Sequence, residues 1–109
     1  MKYDKLVRDK IPQILKEKGS QIETYVCDDE EYTERLIDKL LEEVSEFLQD
    51  DTIEELADIL EVVYAIAAHK KISQQDLEKL RKDKFQKRGG FAEKIVLVEA
   101  TKVDLNNNT

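Results

Sequence analysis

The stretch LEEVSEFLQDDTIEELADILE, Leu41–Glu61, holds nine carboxylates from Glu42 onward and not one lysine or arginine. Its apolar residues still keep helical spacing. It therefore reads as the end of one helix, a short turn and the start of another. Upstream, Leu36, Ile37, Leu40, Leu41, Val44, Phe47 and Leu48 follow the i, i+3, i+4, i+7 rule. That spacing predicts a helix over roughly 29–49 with one wide apolar face. Downstream, Thr52 followed by Glu55 forms a capping box that opens the next helix. Its core stripe is Ile53, Leu56, Ala57, Leu60, Val63, Tyr64 and Ala67, and Ile59, Val62 and Ile66 are apolar on the other side. A helix apolar nearly all round is buried on more than one side. Its acids Glu54, Glu55, Asp58 and Glu61 are then not expected all to be ordinary solvated residues.

The charge is the second half of the problem. Glu43 and Glu46 are neighbours on one helix surface, as are Glu55 and Asp58 on the next. Antiparallel packing across an Asp50–Asp51 turn brings the two pairs face to face. Four converging carboxylates repel, and more strongly as water is excluded. Protonation, a basic segment from elsewhere or a divalent cation must compensate. Oxygen ligands without His or Cys favour Mg²⁺ or Mn²⁺ over Zn²⁺. Mg²⁺ is commonly held by a few carboxylates together with substrate phosphates, so the pattern suits a phosphate substrate. A single E-x-x-E on a solvated helix carries little weight, and Glu61 has no assigned role. Two such pairs on adjacent apolar helices, with no base between them, carry more.

The remaining sequence sets the frame. The 109 residues suit one domain, 1–109, with a modest core. Net charge is −7, all of the excess lying in residues 42–61, which argues against a nucleic-acid polymer as partner. No apolar run is long enough to span a membrane, no signal-peptide core follows Met1, and Cys27 stands alone. These features predict a cytoplasmic protein. Asp9 is the expected cap of a first helix with Pro12 in its opening turn, ending at Lys18–Gly19. A fourth helix is expected from Ser73, with Leu77, Leu80 and Phe85 inward, to Gly89–Gly90. QIETYVC (21–27) and EKIVLVEA (93–100) read as two short strands that can pair. The tail DLNNNT reads as frayed polar residues.

E-x-x-E at 43–46 followed by E-x-x-D at 55–58, in the contexts EEVSE and EELADIL, resembles the signature of the all-α NTP pyrophosphatase superfamily. That superfamily includes MazG-type enzymes, dimeric dUTPases and phosphoribosyl-ATP pyrophosphohydrolases. YDKLVRDKIPQIL (3–15) and KFQKRGGFAEKIVL (84–97) resemble its small phosphoribosyl-ATP pyrophosphohydrolase-like branch. The link of eight residues between Glu46 and Glu55 is short for the superfamily, so a long segment that could shape a base pocket is missing. The resemblance implies a mainly α fold, a four-helix MazG-like bundle with a small two-stranded β element, completed by oligomerisation as a homodimer or homotetramer. It implies Mg²⁺-dependent hydrolysis of a nucleotide between its α- and β-phosphates, giving a monophosphate and pyrophosphate. Glu43, Glu46, Glu55 and Asp58 would be the Mg²⁺ ligands, with Mn²⁺ a possible substitute. Glu42 would support them or orient a water.

Phosphates need cations as well. Lys5, Arg8, Lys84 and Arg88 lie within the resembling stretches and are the expected phosphate contacts; Lys10 lies in the same N-terminal stretch, and Lys87 is as readily solvated. His69 is expected to complement a helix C-terminus, Cys27 to be a small buried hydrophobe, and Tyr64 to pack in the core. Two other readings compete with a general nucleotide pyrophosphohydrolase. One is hydrolysis of phosphoribosyl-ATP in histidine biosynthesis. The other is a non-catalytic module whose acidic helices bind a basic partner.

Overall fold

Helices form where the periodicity places them. The structure, a computed structural model, describes residues 4–101, and the DLNNNT tail lies outside the described residues. The elements are α1 (Ile11–Glu17), α2 (Asp29–Asp50), α3 (Ile53–His69) and α4 (Gln74–Arg88). By contact the chain divides into two compact units, Met1–Leu77 and Glu78–Thr109, with the boundary inside α4. No described helix is long and apolar enough to cross a membrane.

The first unit is organised by its helix ends. Pro12 sits in the first turn of α1, but Asp9 does not cap it. Lys10 holds the N-cap position without a side-chain bond, and the turn is closed by the Ile11 amide donating to the Arg8 carbonyl at 3.0 Å. The helix stops at Gly19, whose φ of +91° lets the chain turn back. The Ser20 amide then reaches the Leu15 carbonyl at 3.0 Å. Helix α2 begins at Asp28, whose Oδ1 accepts from the Glu31 amide at 2.8 Å, with Asp29, Glu30 and Glu31 placed favourably in the first turn. It runs one residue further than expected, so Asp50 is helical and Asp51 alone takes the left-handed turn, φ 52° and ψ 48°. Asp tolerates that conformation better than most residues. Thr52 caps α3 as expected, accepting from the Glu55 amide at 3.4 Å.

With two residues between them, α2 and α3 can only pack antiparallel, as an αα-hairpin. Its far end is fastened by His69, whose Nε2 lies 2.8 Å from Thr33 Oγ1 and whose ring meets Tyr32 edge-on at 4.9 Å.

The wide apolar face of α2 splits in two. Leu36, 2% exposed, with Leu40, Glu43 and Phe47 forms the stripe turned inward. Ile37, Leu41, Val44 and Leu48 form a second stripe that stays exposed, Leu48 at 75%. On α3 the expected core stripe is partly reversed. Val62 is buried and Ile59 and Ile66 half-buried, whereas Ile53, Leu56 and Leu60 are exposed, Ile53 at 77%. At about 100° per residue, the exposed stripes of both helices are offset from the contact line in the same rotational sense. In an antiparallel pair of right-handed helices that puts them on one side of the hairpin. Glu42, Glu46 and Asp58 are offset the other way, so the hairpin has an apolar side and an acidic side.

The two expected strands are corrected by the structure: 21–27 and 93–100 are irregular, and no strand occurs among the described residues. Alternating β-formers make a strand only where a neighbouring chain completes the ladder. Here Val26, Ile95, Val96 and Val98 remain exposed. The 21–27 segment is instead held by a side chain, the Tyr25 hydroxyl bonding to Glu31 Oε2 and accepting from Arg35 Nη2 at 3.1 Å.

In the second unit α4 is exposed from Glu78 to Arg88. Leu80 and Phe85, expected inward, are each more than half exposed. Arg81 and Glu78 form a two-pronged ion pair along the helix, at 2.9 and 2.7 Å. The helix ends at Gly89, φ +79°, whose amide donates to the Phe85 carbonyl at 2.7 Å.

Candidate metal centre

The Asp51–Thr52 turn sets the last two turns of α2 against the first two turns of α3. Carboxylate oxygens of Glu43, Glu55 and Asp58 come together there, all within 4.8 Å of one another. Glu43, only 7% exposed, is the one buried charged residue among those described. Its Oε2 is buried without a hydrogen-bond partner, and so is the Oε2 of Glu55. An orphaned, buried carboxylate oxygen carries a desolvation cost that no hydrogen bond to that atom offsets. Two of them in one cluster mark a place suited to a cation.

The titration of the cluster follows from this geometry. Burial first, and then the charge of Glu46, pushes the Glu43 carboxyl above the usual glutamate range, with Lys39 opposing. Glu55 is pushed up by burial and then by Glu46, Asp58, Asp50 and Glu43. Both resist ionisation because burial disfavours the charged form and neighbouring acids add to it. Glu46, expected as a ligand, is not one of the three converging residues. Its field still reaches Glu43, Glu55 and Lys5, so it flanks the trio. Glu61 is exposed and is not among the converging residues.

Cations are present, on the acids themselves. Lys5 Nζ lies 2.7 Å from Glu42 Oε1, and Arg8 Nη2 lies 2.7 Å from Asp58 Oδ1. Glu42 is raised by burial, but hydrogen bonds from Lys39 and Lys5 outweigh this and hold it below the usual range. The same hydrogen bond holds Lys5 above its usual value. Thus two of the expected phosphate contacts do reach the acidic side of the hairpin, where they contact carboxylates. Lys84 and Arg88 stand on the last turns of α4, in the second unit, both exposed.

Lys39 is the residue the sequence reading missed. Its Nζ lies 2.8 Å from Glu42 Oε2 and 3.4 Å from Glu43 Oε1, with the side chain only 16% exposed. The signal was present: Lys39 precedes Glu42 and Glu43 by three and four residues, the helical ion-pair spacing. A base-free window that starts at Glu42 leaves it out. By engaging Glu43 through Oε1, Lys39 leaves Oε2 turned to no protein partner.

All the converging donors are carboxylate oxygens, the set that hard divalent cations prefer. The residues present therefore fit a hard divalent cation and do not fit a soft-metal site. Compared with known protein families, with curated proteins and with solved structures, the chain finds no match.

Proposed function

We propose that the protein is a Mg²⁺-dependent nucleotide pyrophosphohydrolase, cleaving the bond between the α- and β-phosphates of a nucleoside triphosphate or related nucleotide. The observation that carries this reading is the pair of orphaned, buried oxygens, Glu43 Oε2 and Glu55 Oε2, within a cluster completed by Asp58. The E-x-x-E and E-x-x-D spacing and the resembling chain ends support it. Glu43, Glu55 and Asp58 would hold the cation, with Glu46 beside them. Lys39 keeps Glu42 and one oxygen of Glu43 engaged, leaving the other for the ion. When bound there, a divalent cation would supply neutralisation of phosphate charge and a bound water of lowered pKa. A neighbouring carboxylate would accept a proton from the attacking water.

The same reading makes the chain a cytoplasmic, MazG-like helical domain that works as a homodimer or homotetramer. Ile37, Leu41, Val44 and Leu48 of α2, and Ile53, Leu56 and Leu60 of α3, share one side of the hairpin and are exposed in the single chain. Contiguous apolar surface of that kind is uncommon on monomers. A second copy would bury it and complete the bundle, leaving the acidic side for substrate. An acidic module for a basic partner is less well supported, because Lys5, Arg8 and Lys39 already engage the outer carboxylates while the orphaned oxygens point to a small ion.

The test is pyrophosphate release from a panel of nucleotides with Mg²⁺. Glu43→Gln and Asp58→Asn should each abolish turnover while helix content is retained. Full activity in both variants would refute the site.

A further inference from the structure

We propose that the segment bearing Lys5 and Arg8 is the counter-charge of the metal-free site, and that Arg8 passes from Asp58 to the substrate's phosphates when a divalent cation enters. The inference rests on the metal-site reading and adds to it a coupling: cation and polyphosphate bind together far better than the cation alone.

Asp58 is one of three residues whose oxygens converge, and its Oδ1 is already taken by Arg8 at 2.7 Å. A divalent ion on Asp58 would place two positive charges beside the guanidinium, so the ion pair opposes entry of the metal. Arg8 is about half exposed, at 54%, and its side chain is long enough to swing without moving the backbone. The backbone is held independently. Arg35 Nη1 donates to the Asp4 carbonyl at 2.8 Å, its Nη2 meets Asp4 Oδ1 at 3.1 Å, and the Arg8 carbonyl accepts from Ile11. The strap is therefore anchored at both ends while its cationic heads lie on the acidic side. Lys39, by contrast, is largely buried between Glu42 and Glu43 and stays in place. A polyphosphate arriving with its cation restores negative charge within reach of Arg8, which then exchanges a carboxylate for a phosphate. Arginine suits both partners, since its planar fork pairs either one.

The experiment is Mn²⁺ titration followed by electron paramagnetic resonance, without and with an α,β-methylene nucleoside triphosphate. Wild type, Arg8→Gln and Arg81→Gln are compared, the last removing the same charge from the Glu78 pair on α4. Arg8→Gln should bind Mn²⁺ alone at least several-fold more tightly than wild type, and should lose most of the tightening the analogue produces. Arg81→Gln should behave as wild type. Equal or weaker Mn²⁺ binding by Arg8→Gln, or an unchanged response to the analogue, overturns the exchange while leaving the metal site intact. Absence of Mn²⁺ binding in all three proteins overturns the metal-site reading and the exchange with it.

Discussion

Arg8 and Asp58 are 50 residues apart in sequence and 2.7 Å apart in the structure. The pair joins the irregular segment before α1 to the second turn of α3, at the edge of the carboxylate cluster. Both side chains are more than a third exposed, so the bond adds little to stability, by analogy with exposed pairs worth about 0–1 kcal/mol. Arg8→Gln should therefore shift the melting temperature by no more than about 4 °C in metal-free buffer. A large loss of stability in a thermal melt would mean that Arg8 is structural.

Mg²⁺ should stabilise the fold through the cluster. Binding to the native state alone contributes about 2.7 kcal/mol at a hundredfold excess over Kd. Scanning calorimetry should show a higher melting temperature with Mg²⁺ and a nucleotide analogue, and no such shift for Asp58→Asn or Glu43→Gln. Equal shifts in the variants would place the ion elsewhere.

The pH dependence has a definite sign. Glu43 and Glu55 are raised above the ordinary glutamate value of 4.5 by burial and neighbouring acids. As pH climbs from that value, the unfolded chain ionises first, and the native state loses stability until both groups are charged. Glu42 acts oppositely: its lowered carboxyl contributes stability above 4.5 that disappears as pH falls through its folded value. The contribution of Glu43 and Glu55 is read by difference: relative to Glu43→Gln and Glu55→Gln, the metal-free wild type should lose stability as pH rises from about 4.5. With Mg²⁺ present the decline should be smaller or reversed, because the cation binds the ionised forms. An identical pH profile with and without metal would argue against those two ligands.

Lys39→Met should separate positioning from folding. Without Lys39, Glu43 Oε1 loses its partner at 3.4 Å and Glu42 keeps only Lys5. Supporting residues of this kind typically cost about 10–100-fold in activity when removed, whereas metal affinity should not fall, because a positive charge is lost beside Glu43. Lys39→Arg should recover part of that loss. Steady-state kinetics and Mn²⁺ affinity measured on the same preparations check this, and wild-type values in Lys39→Met would remove it from the site.

Charging the apolar side of the hairpin should break assembly. Leu41→Lys and Ile53→Lys change residues that are 63% and 77% exposed in the single chain, so the helices themselves should survive. Analytical ultracentrifugation should find the wild type as a dimer or tetramer and the double variant as a monomer of unchanged helix content. A monomeric wild type would remove the second copy from the account.

Much of this was readable from Leu41–Glu61 and its surroundings, because helix formation and capping are local. The i, i+3, i+4 spacing placed α2 and α3 to within a residue or two, and Thr52 marked the start of α3. The pairing of Glu43 with the Glu55–Asp58 turn followed from a turn too short for anything but an antiparallel return. Strands at 21–27 and 93–100 could not be settled locally, because a strand exists only through hydrogen bonds to another strand, and among the described residues none forms. Periodicity likewise defined an apolar arc on α2 wider than one neighbour could cover. It did not say that Leu36 would be buried while Leu41 and Leu48 stayed outside. Above all, sequence alone established a deficit of positive charge, whereas the structure located the partial answer in Lys39, one turn upstream, and in Lys5 and Arg8, brought from the far end of the first unit. Local propensity acts over a few residues and is written into the order of the chain. Coulomb attraction acts through space, and only the tertiary arrangement determines which charges come within about 3 Å of one another.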